Sequence, residues 1–279
     1  MDNNTYFDVL DSAEKSYWLG FFCADGYLYK SGKQASFILS SRDKRHLQRL
    51  ADNFNLSVRE TQVPDARTGR TYNSVRLVMS SRNLCNSITA KGIPQRKTAE
   101  LSSAVFQSIP VEFVRDFIRG YFDGDGCITK IGVAEYRMSI CGTESFLSTL
   151  AAVVAVNCYV NQPNVLFRPG VCIIQWCGTD KINAIKTWLY QDADLYLERK
   201  KEIFDCVPLY RGSSKHKGVY WIKAQQHWLA RVYKNRKMKT IGQFPTEAQA
   251  VEALIEKLPK HCTIAVSLRL LNGYGLCNL

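Results

Sequence analysis

The sequence has no apolar stretch long enough to cross a membrane. Its longest aliphatic run is LAAVVAV at 150–156, far short of the roughly 20 residues a spanning helix needs. It begins MDNNTYFDVLDS, acidic and polar where a signal peptide would be basic and then apolar. An intracellular, cytoplasmic protein is therefore expected. The ten cysteines include no CxxC pair and no framework of close spacings, which suits reduced thiols better than disulfides or structural zinc. The four histidines, His46, His216, His227 and His261, are scattered, so a zinc finger or a histidine-metal nuclease would lack its paired ligands. Acids are also in deficit: 25 Asp and Glu stand against 37 Lys and Arg, a formal net charge of +12. A basic protein of this size often has a polyanionic partner, usually nucleic acid.

What is present is a packable globular chain. Hydrophobic residues make up 46% and charged residues 22%, a composition that forms a core rather than a disordered tract. The 279 residues suit two domains, or one duplicated domain with an addition. The charge is concentrated: residues 210–260 hold eleven Lys or Arg against three acids. That asymmetry marks a separate module.

The rest of the chain is a repeat. SYWLGFFCADGYLY (16–29) and DFIRGYFDGDGCIT (116–129) align without a gap at an offset of 100 residues, matching Gly20 to Gly120, Asp25 to Asp125 and Gly26 to Gly126. After the first copy come QASFILSS, DKRHLQRLADNF, TYNSVRLVMSS and RNLCNSITAKG. After the second come YRMSICG, TESFLSTLAAVVAV, VCIIQWCG and TDKINAIKTWLY. Period-two stretches read as strands and i, i+3, i+4 patterns as helices. Each copy therefore predicts helix, strand, strand, helix, strand, strand, helix. The spacing of Asp11 and Glu14 predicts a capping box at the first helix. Pro110 is expected at the first position of the second motif helix.

Small residues fall four apart in each motif helix, Gly20 with Ala24 and Gly120 with Gly124. Four residues is about one turn, so each pair shares a face on which two helix backbones can approach closely. If the copies pair about a pseudo-twofold axis, these helices are the seam, and Asp25 and Asp125 emerge side by side at their C-terminal ends. That placement opposes the helix dipoles. Two carboxylates about 4 Å apart repel by roughly 4 kcal/mol at an effective dielectric of about 20. A divalent cation between them would reverse the sign. Hard oxygen ligands with open positions suit magnesium, or another divalent ion such as manganese. Paired acids, such a cation and a basic protein point together to phosphodiester hydrolysis. A single Asp-Gly is otherwise a common helix stop, since glycine accepts the left-handed conformation. An EF-hand reading of DGDGCITKIGVAEY fails, because Ile128 and Ala134 stand where the loop needs glycine and glutamate.

WLGFFCADG (18–26) and IRGYFDGDG (118–126) resemble the two motifs of a single-chain LAGLIDADG homing endonuclease, a likeness covering about residues 12–206. The resemblance implies an α+β fold of two αββαββα halves, with saddle-shaped antiparallel sheets over double-stranded DNA. It implies a monomer with internal pseudo-twofold symmetry that cuts both strands with divalent metal, as an enzyme of a mobile element or intron. Carried over by position, Asp25 and Asp125 are the catalytic metal ligands, with Gly26 and Gly126 as further residues of the metal site. Cys23 departs from the pattern where the second motif keeps Asp123. The family also places a basic residue near each scissile phosphate. GIPQRKTAEL (92–101) and YLERKKEIF (196–204) supply Lys97 and Lys200, with Lys201 an equal contender in register. The candidates for reading DNA on the strands are Arg70, Arg76, Arg137, Arg168 and Gln175, since Arg and Gln pair with base edges and Arg binds phosphates.

After Pro208 the pattern changes. GVYWIKA, HWLARVYKN and KMKTIGQF predict three short strands, and TEAQAVEALIEKL predicts an amphipathic helix with Thr246 as its N-cap. Gly218, Val219, Trp221, Trp228, Ala230, Gly242, Phe244, Thr246, Glu247 and Ala250 resemble the ethylene-response-factor, or APETALA-like, DNA-binding domain. That resemblance implies major-groove contact by Lys223, Arg231 and Tyr233. The expected organisation is repeat 1 at 1–105, repeat 2 at 106–208, a linker at 209–217, the module at 218–258 and a tail at 259–279. A catalytically inactive nucleic-acid binder on the same fold, an intron maturase or a DNA-binding regulator, is the competing reading.

Overall fold

Ser12, rather than Asp11, starts the first helix. Its hydroxyl accepts from the Lys15 backbone N–H at 3.3 Å, while Asp11 pairs with the Lys15 ammonium at 2.9 Å. Glu14 does not close a capping box; its carboxylate accepts from Trp18 Nε1 and Asn53 Nδ2. The computed structural model describes residues 5–66, 68–132, 135–208, 214, 216, 218–222, 225–234 and 237–257. It separates into two units, 1–209 and 210–279. No helix among the described residues is long and apolar enough to cross a membrane.

The first unit holds both repeats. The first runs through α1 (Ala13–Asp25), β1 (Gly26–Leu28), β2 (Gln34–Ser40), α2 (Lys44–Asp52), β3 (Arg59–Pro64), β4 (Thr71–Ser80) and α3 (Arg82–Ala90), followed by the short α4 (Lys97–Glu100). The second runs through α5 (Val114–Asp125), β5 (Gly126–Lys130), β6 (Tyr136–Gly142), α6 (Glu144–Cys158), β7 (Leu166–Arg168), β8 (Val171–Cys177) and α7 (Thr179–Tyr190), followed by α8 (Glu198–Asp205). Each repeat is thus αββαββα. Pro110 is not the first residue of α5; it precedes a 3-10 turn, Val111–Phe113, that leads into that helix.

The two sheets are antiparallel throughout and have matching orders, β1-β2-β4-β3 and β5-β6-β8-β7. Alternation sorts their residues. Ala35, Phe37 and Leu39 of β2 and Val75, Leu77 and Met79 of β4 are buried, so the intervening residues point to the other face. Met138, Ile140, Ile174 and Trp176 do the same in the second sheet. Core residues of both repeats form one continuous cluster, with Phe21, Phe22, Phe117 and Phe122 at its centre. Burying each such ring stabilises the fold by about 2–3 kcal/mol.

Arg119 secures the back of this core. It is 2% exposed, and it donates to Leu195 O, Leu189 O and Asp116 Oδ1 at 2.9, 2.9 and 2.7 Å. Its guanidinium lies 5.4 Å from the Tyr17 ring centroid, a cation–π contact across the seam.

The second unit is the expected small sheet and helix. Strands β9 (Val219–Ile222), β10 (His227–Lys234) and β11 (Lys237–Phe244) form a sheet in the order β11-β10-β9, and α9 (Glu247–Lys257) packs on it. Thr246 caps α9, its hydroxyl accepting from Gln249 N at 3.3 Å. Val219, Ala230, Ala250, Val251 and Leu254 make its core, with Trp228 and Val232 packed against them. Gly218 has φ +93°, and a Cβ there would meet Arg231 O at 2.6 Å. Most of the expected linker and all of the expected tail lie outside the described residues.

Candidate active site

The site is built where α1 and α5 converge. A Cβ added to Gly20 would lie 1.9 Å from Phe117 O, and one added to Gly120 would lie 2.0 Å from Tyr17 O. Helix backbones therefore touch at the seam, which only glycine permits. One turn further on, a Cβ at Gly124 would meet Ala24 Cβ at 2.2 Å and Asp25 Oδ2 at 3.2 Å. The two helices end together, and Asp25 sits against the end of the opposite helix.

Neither motif ends as a left-handed glycine stop. Gly26 and Gly126 have φ −71° and −86° and pass straight from helix into strand. Glycine is required there for space, since a Cβ would meet the Phe22 or Phe122 ring at 2.4 or 2.1 Å. The ordinary stop-signal explanation of Asp-Gly does not apply to either copy.

Burial, and then the charge of Asp125, push Asp25 up to about 6, more than Lys97, Lys200 and Arg199 offset. Burial raises Asp125 as well, partly opposed by Lys97, Lys200 and a hydrogen bond from Tyr121. Tyr121 has one hydroxyl proton to give, and Cys141 O at 2.9 Å competes for it. Phe21 occupies the matching place in the first motif, so Asp25 has no phenol at that position.

The two lysines occupy corresponding positions. Lys97 Nζ donates to Cys23 O at 3.1 Å and to Ala24 O. Lys200 Nζ donates to Phe122 O and Gly124 O, each at 2.9 Å, and to Gly126 O. Each ammonium caps the negative end of its motif helix, as the dipole favours. Burial pulls Lys200 down to about 8 and lowers Lys97. Lys201 points elsewhere, pairing with Asp205 at 2.7 Å. The geometry therefore separates two lysines that the sequence left equivalent. It also occupies Gly126 O with an ammonium, which disfavours that carbonyl as a cation ligand.

Asp123 has a different environment from Asp125. It is fully buried and accepts from Tyr17 OH at 2.7 Å, Tyr190 OH at 2.6 Å and Leu197 N at 2.8 Å. Cys23, its counterpart, is buried too, and burial pushes its thiol up.

Most of the strand candidates share the face away from the core. Arg76 pairs in register with Ile38 and Arg59, Arg137 with Thr129 and Cys177, Gln175 with Ser139 and Arg168 with Val171. Arg70 is not on a strand; it lies in the β3–β4 turn. Arg59 was missed, because the register that sets it opposite Arg76 is not visible in one sequence. Both arginines line a groove of about 1060 Å³ with Gln34, Thr61 and Ser80. Like charges directly opposite on a ladder are destabilising without an anion between them. In the second unit Arg231 is exposed on β10 and Tyr233 lies on the same strand. Lys223 lies outside the described residues.

The donor set fits a small hard cation. Among the described residues no three His, Cys, Asp or Glu converge as a closed metal cage. Magnesium is commonly held by only one or two carboxylates, with substrate phosphates and waters completing its shell. Asp25 and Asp125 are two such carboxylates, and burial raises the proton affinity of both.

No family model matches this sequence, and no curated protein does. Among solved structures, the homing endonuclease I-WcaI bound to its DNA recognition sequence is 12% identical, with a TM-score of 0.49 over 69% of this chain and 87% of that one. The I-LtrWI LAGLIDADG homing endonuclease bound to target DNA is also 12% identical, with a TM-score of 0.42 over 73% and 91%. Full-length DUF199/WhiA from Thermatoga maritima is 17% identical, with a TM-score of 0.43 over 74% and 63%. Similarity this distant carries no weight for what the chain does, which is read from its own geometry.

Proposed function

We propose that this chain is a site-specific endonuclease that hydrolyses phosphodiester bonds in double-stranded DNA, with Asp25 and Asp125 holding divalent metal between the two repeats. One observation supports it above the others. Two aspartates are held together at the shared ends of two helices, against both dipoles and each other's charge. A fold shaped only for stability would avoid that cost. Magnesium or manganese, when bound, supplies Lewis-acid charge at the phosphate and acidifies an attacking water.

The remaining roles belong to the chain. Asp25 and Asp125 orient the metal-binding oxygens, one from each repeat. Lys97 and Lys200 supply positive charge beside them for a scissile phosphate. The outward strand faces, with Arg76, Arg137, Arg168 and Gln175, bind the duplex. The second unit, which resembles an ethylene-response-factor domain, extends that contact through Arg231. Cleavage of both strands within one site is what a homing enzyme of a mobile element requires.

The test is cleavage of a plasmid carrying the gene's two flanks joined without it, with magnesium or with EDTA. Linear product only with magnesium is expected. Tight binding without cleavage would instead assign a non-catalytic binder. On the same substrate Lys200→Met should slow cutting at least about tenfold, as expected for a charge acting on the transition state. Lys201→Met should change it less than about twofold; the reverse order would overturn the lysine assignment. Arg231→Ala should weaken binding and reduce the salt slope by about one, measured by titration at several salt concentrations. An unchanged slope would remove Arg231 from the DNA contact.

A further inference from the structure

The structure assigns Asp123 as a positioning residue for Lys200, giving the second repeat a clamp that the first repeat lacks. Leu197 is the N-cap of α8 and has no side-chain cap of its own. Asp123 Oδ2, from α5, instead accepts from Leu197 N, the N-cap's own N–H, at 2.8 Å. A carboxylate there meets both an orphan N–H and the positive end of the α8 dipole. Lys200 follows within the first turn of α8, and its ammonium reaches back to the last carbonyls of α5. So α5 holds the start of α8, and α8 holds the end of α5.

Three further contacts close the clamp. Tyr17 and Tyr190 donate to the same carboxylate at 2.7 and 2.6 Å, fixing Asp123 from α1 and α7. Arg199, next to Lys200, makes a bidentate pair with Asp43 at 3.0–3.2 Å. Lys200 is accordingly buried.

The first repeat has none of this. Cys23 stands at the position of Asp123, and a thiol is a weak acceptor. Lys97 begins a helix of four residues whose N-cap, Arg96, makes no side-chain capping bond. Lys97 reaches two carbonyls where Lys200 reaches three, and it is only half-buried. The two lysines differ in how firmly they are held, although their motifs align without a gap.

For cleavage, and only there resting on the endonuclease reading, the consequence is strand asymmetry. The strand served by Lys200 depends on Asp123, and the strand served by Lys97 does not. Two measurements test this in the full-length protein. The first is brief acetylation of the native protein with acetic anhydride, read by mass spectrometry. Asp123→Asn should make Lys200 react at least about fivefold faster and leave Lys97 within about twofold. Tyr190→Phe keeps the Leu197 bond while removing one donor, and should give a smaller change in the same direction if Asp123→Asn does not fold. Equal changes at both lysines, or none at Lys200, would overturn the assignment.

The second measurement is strand-resolved cutting of an end-labelled site. Asp123→Asn should slow the strand that Lys200→Met slows by at least about tenfold, and the other by less than about threefold, so nicked circles accumulate. Equal slowing of both strands would reduce Asp123 to a merely structural acid. If the wild-type protein cuts no DNA, the endonuclease reading fails, and acetylation alone decides the role of Asp123.

Discussion

Replacing Asp25 with Asn should abolish the proposed DNA cleavage and at the same time raise the melting temperature of the metal-free protein. The two effects share one cause. Asp25 is ionised at neutral pH although burial and Asp125 raise its carboxyl from 3.8 to about 6. A carboxyl raised on folding contributes stability that is fully present below its unfolded value near 4 and lost as pH climbs through about 6. At pH 8 the charged group therefore opposes folding. At full burial that would amount to about 3 kcal/mol; partial solvent access reduces it to about 1–2 kcal/mol. Asparagine keeps the shape and removes the charge, so the first unit should melt about 3–6 °C higher at that pH. The gain should shrink at pH 5.

Cleavage should fall at the same time by at least about a thousandfold. On the proposed endonuclease reading, loss of one metal-holding carboxylate removes several kcal/mol of transition-state charge stabilisation. Melting curves in EDTA at pH 5 and pH 8, beside cleavage in magnesium, check both halves. DNA binding should survive, because the strand faces are untouched. A lower melting point at pH 8 would show that the aspartate is stabilising, and undiminished cutting would remove it from the chemistry. Asp125→Asn should behave alike in cleavage. Its thermal gain should be smaller, because a hydrogen bond from Tyr121 favours the charged form.

Gly120→Ala should damage the whole first unit. The new methyl would sit 2.0 Å from Tyr17 O and 2.9 Å from Phe21 N. These are backbone atoms of a buried helix, and no side-chain rotation relieves the clash. The helices must separate, loosening the aromatic core on both sides. Overpacking of this kind costs about 3–5 kcal/mol, roughly 10 °C or more in melting temperature. Gly20→Ala should cost as much, since its methyl would meet Phe117 O. Gly170→Ala is the control. It has φ +78° with open space around it, so only local strain of about 1–2 kcal/mol applies. Gly120→Ala melting no lower than Gly170→Ala would mean that α1 and α5 are not packed backbone to backbone.

The seam was legible in the sequence because helical spacing is local information. Glycines and alanine four residues apart must share a face wherever the helix goes, and two such faces at one offset imply pairing. The aspartates following them had to emerge at the helix ends. Strand alternation offered Arg76, Arg137, Arg168 and Gln175 as candidates, but the face each occupies follows from the register. Arg70 failed because a turn residue has no alternation to follow. The cap of α1 shifted by one residue because Ser12 competes with Asp11 for the same N–H groups, and only the realised backbone decides between them.

Residue type and short spacing carried the duplication, the αββαββα order, the paired aspartates and the basic second module. Only the packing of the folded chain settled which lysine faces the helix ends, that Gly26 and Gly126 are extended, that Arg59 stands opposite Arg76, and which donors hold Asp123. Each of those depends on which atoms meet across many intervening residues: Lys200 with Phe122 O, Tyr17 with Asp123 and Arg199 with Asp43. Such meetings are set by the packing of one helix pair against its neighbours, and no local pattern records them.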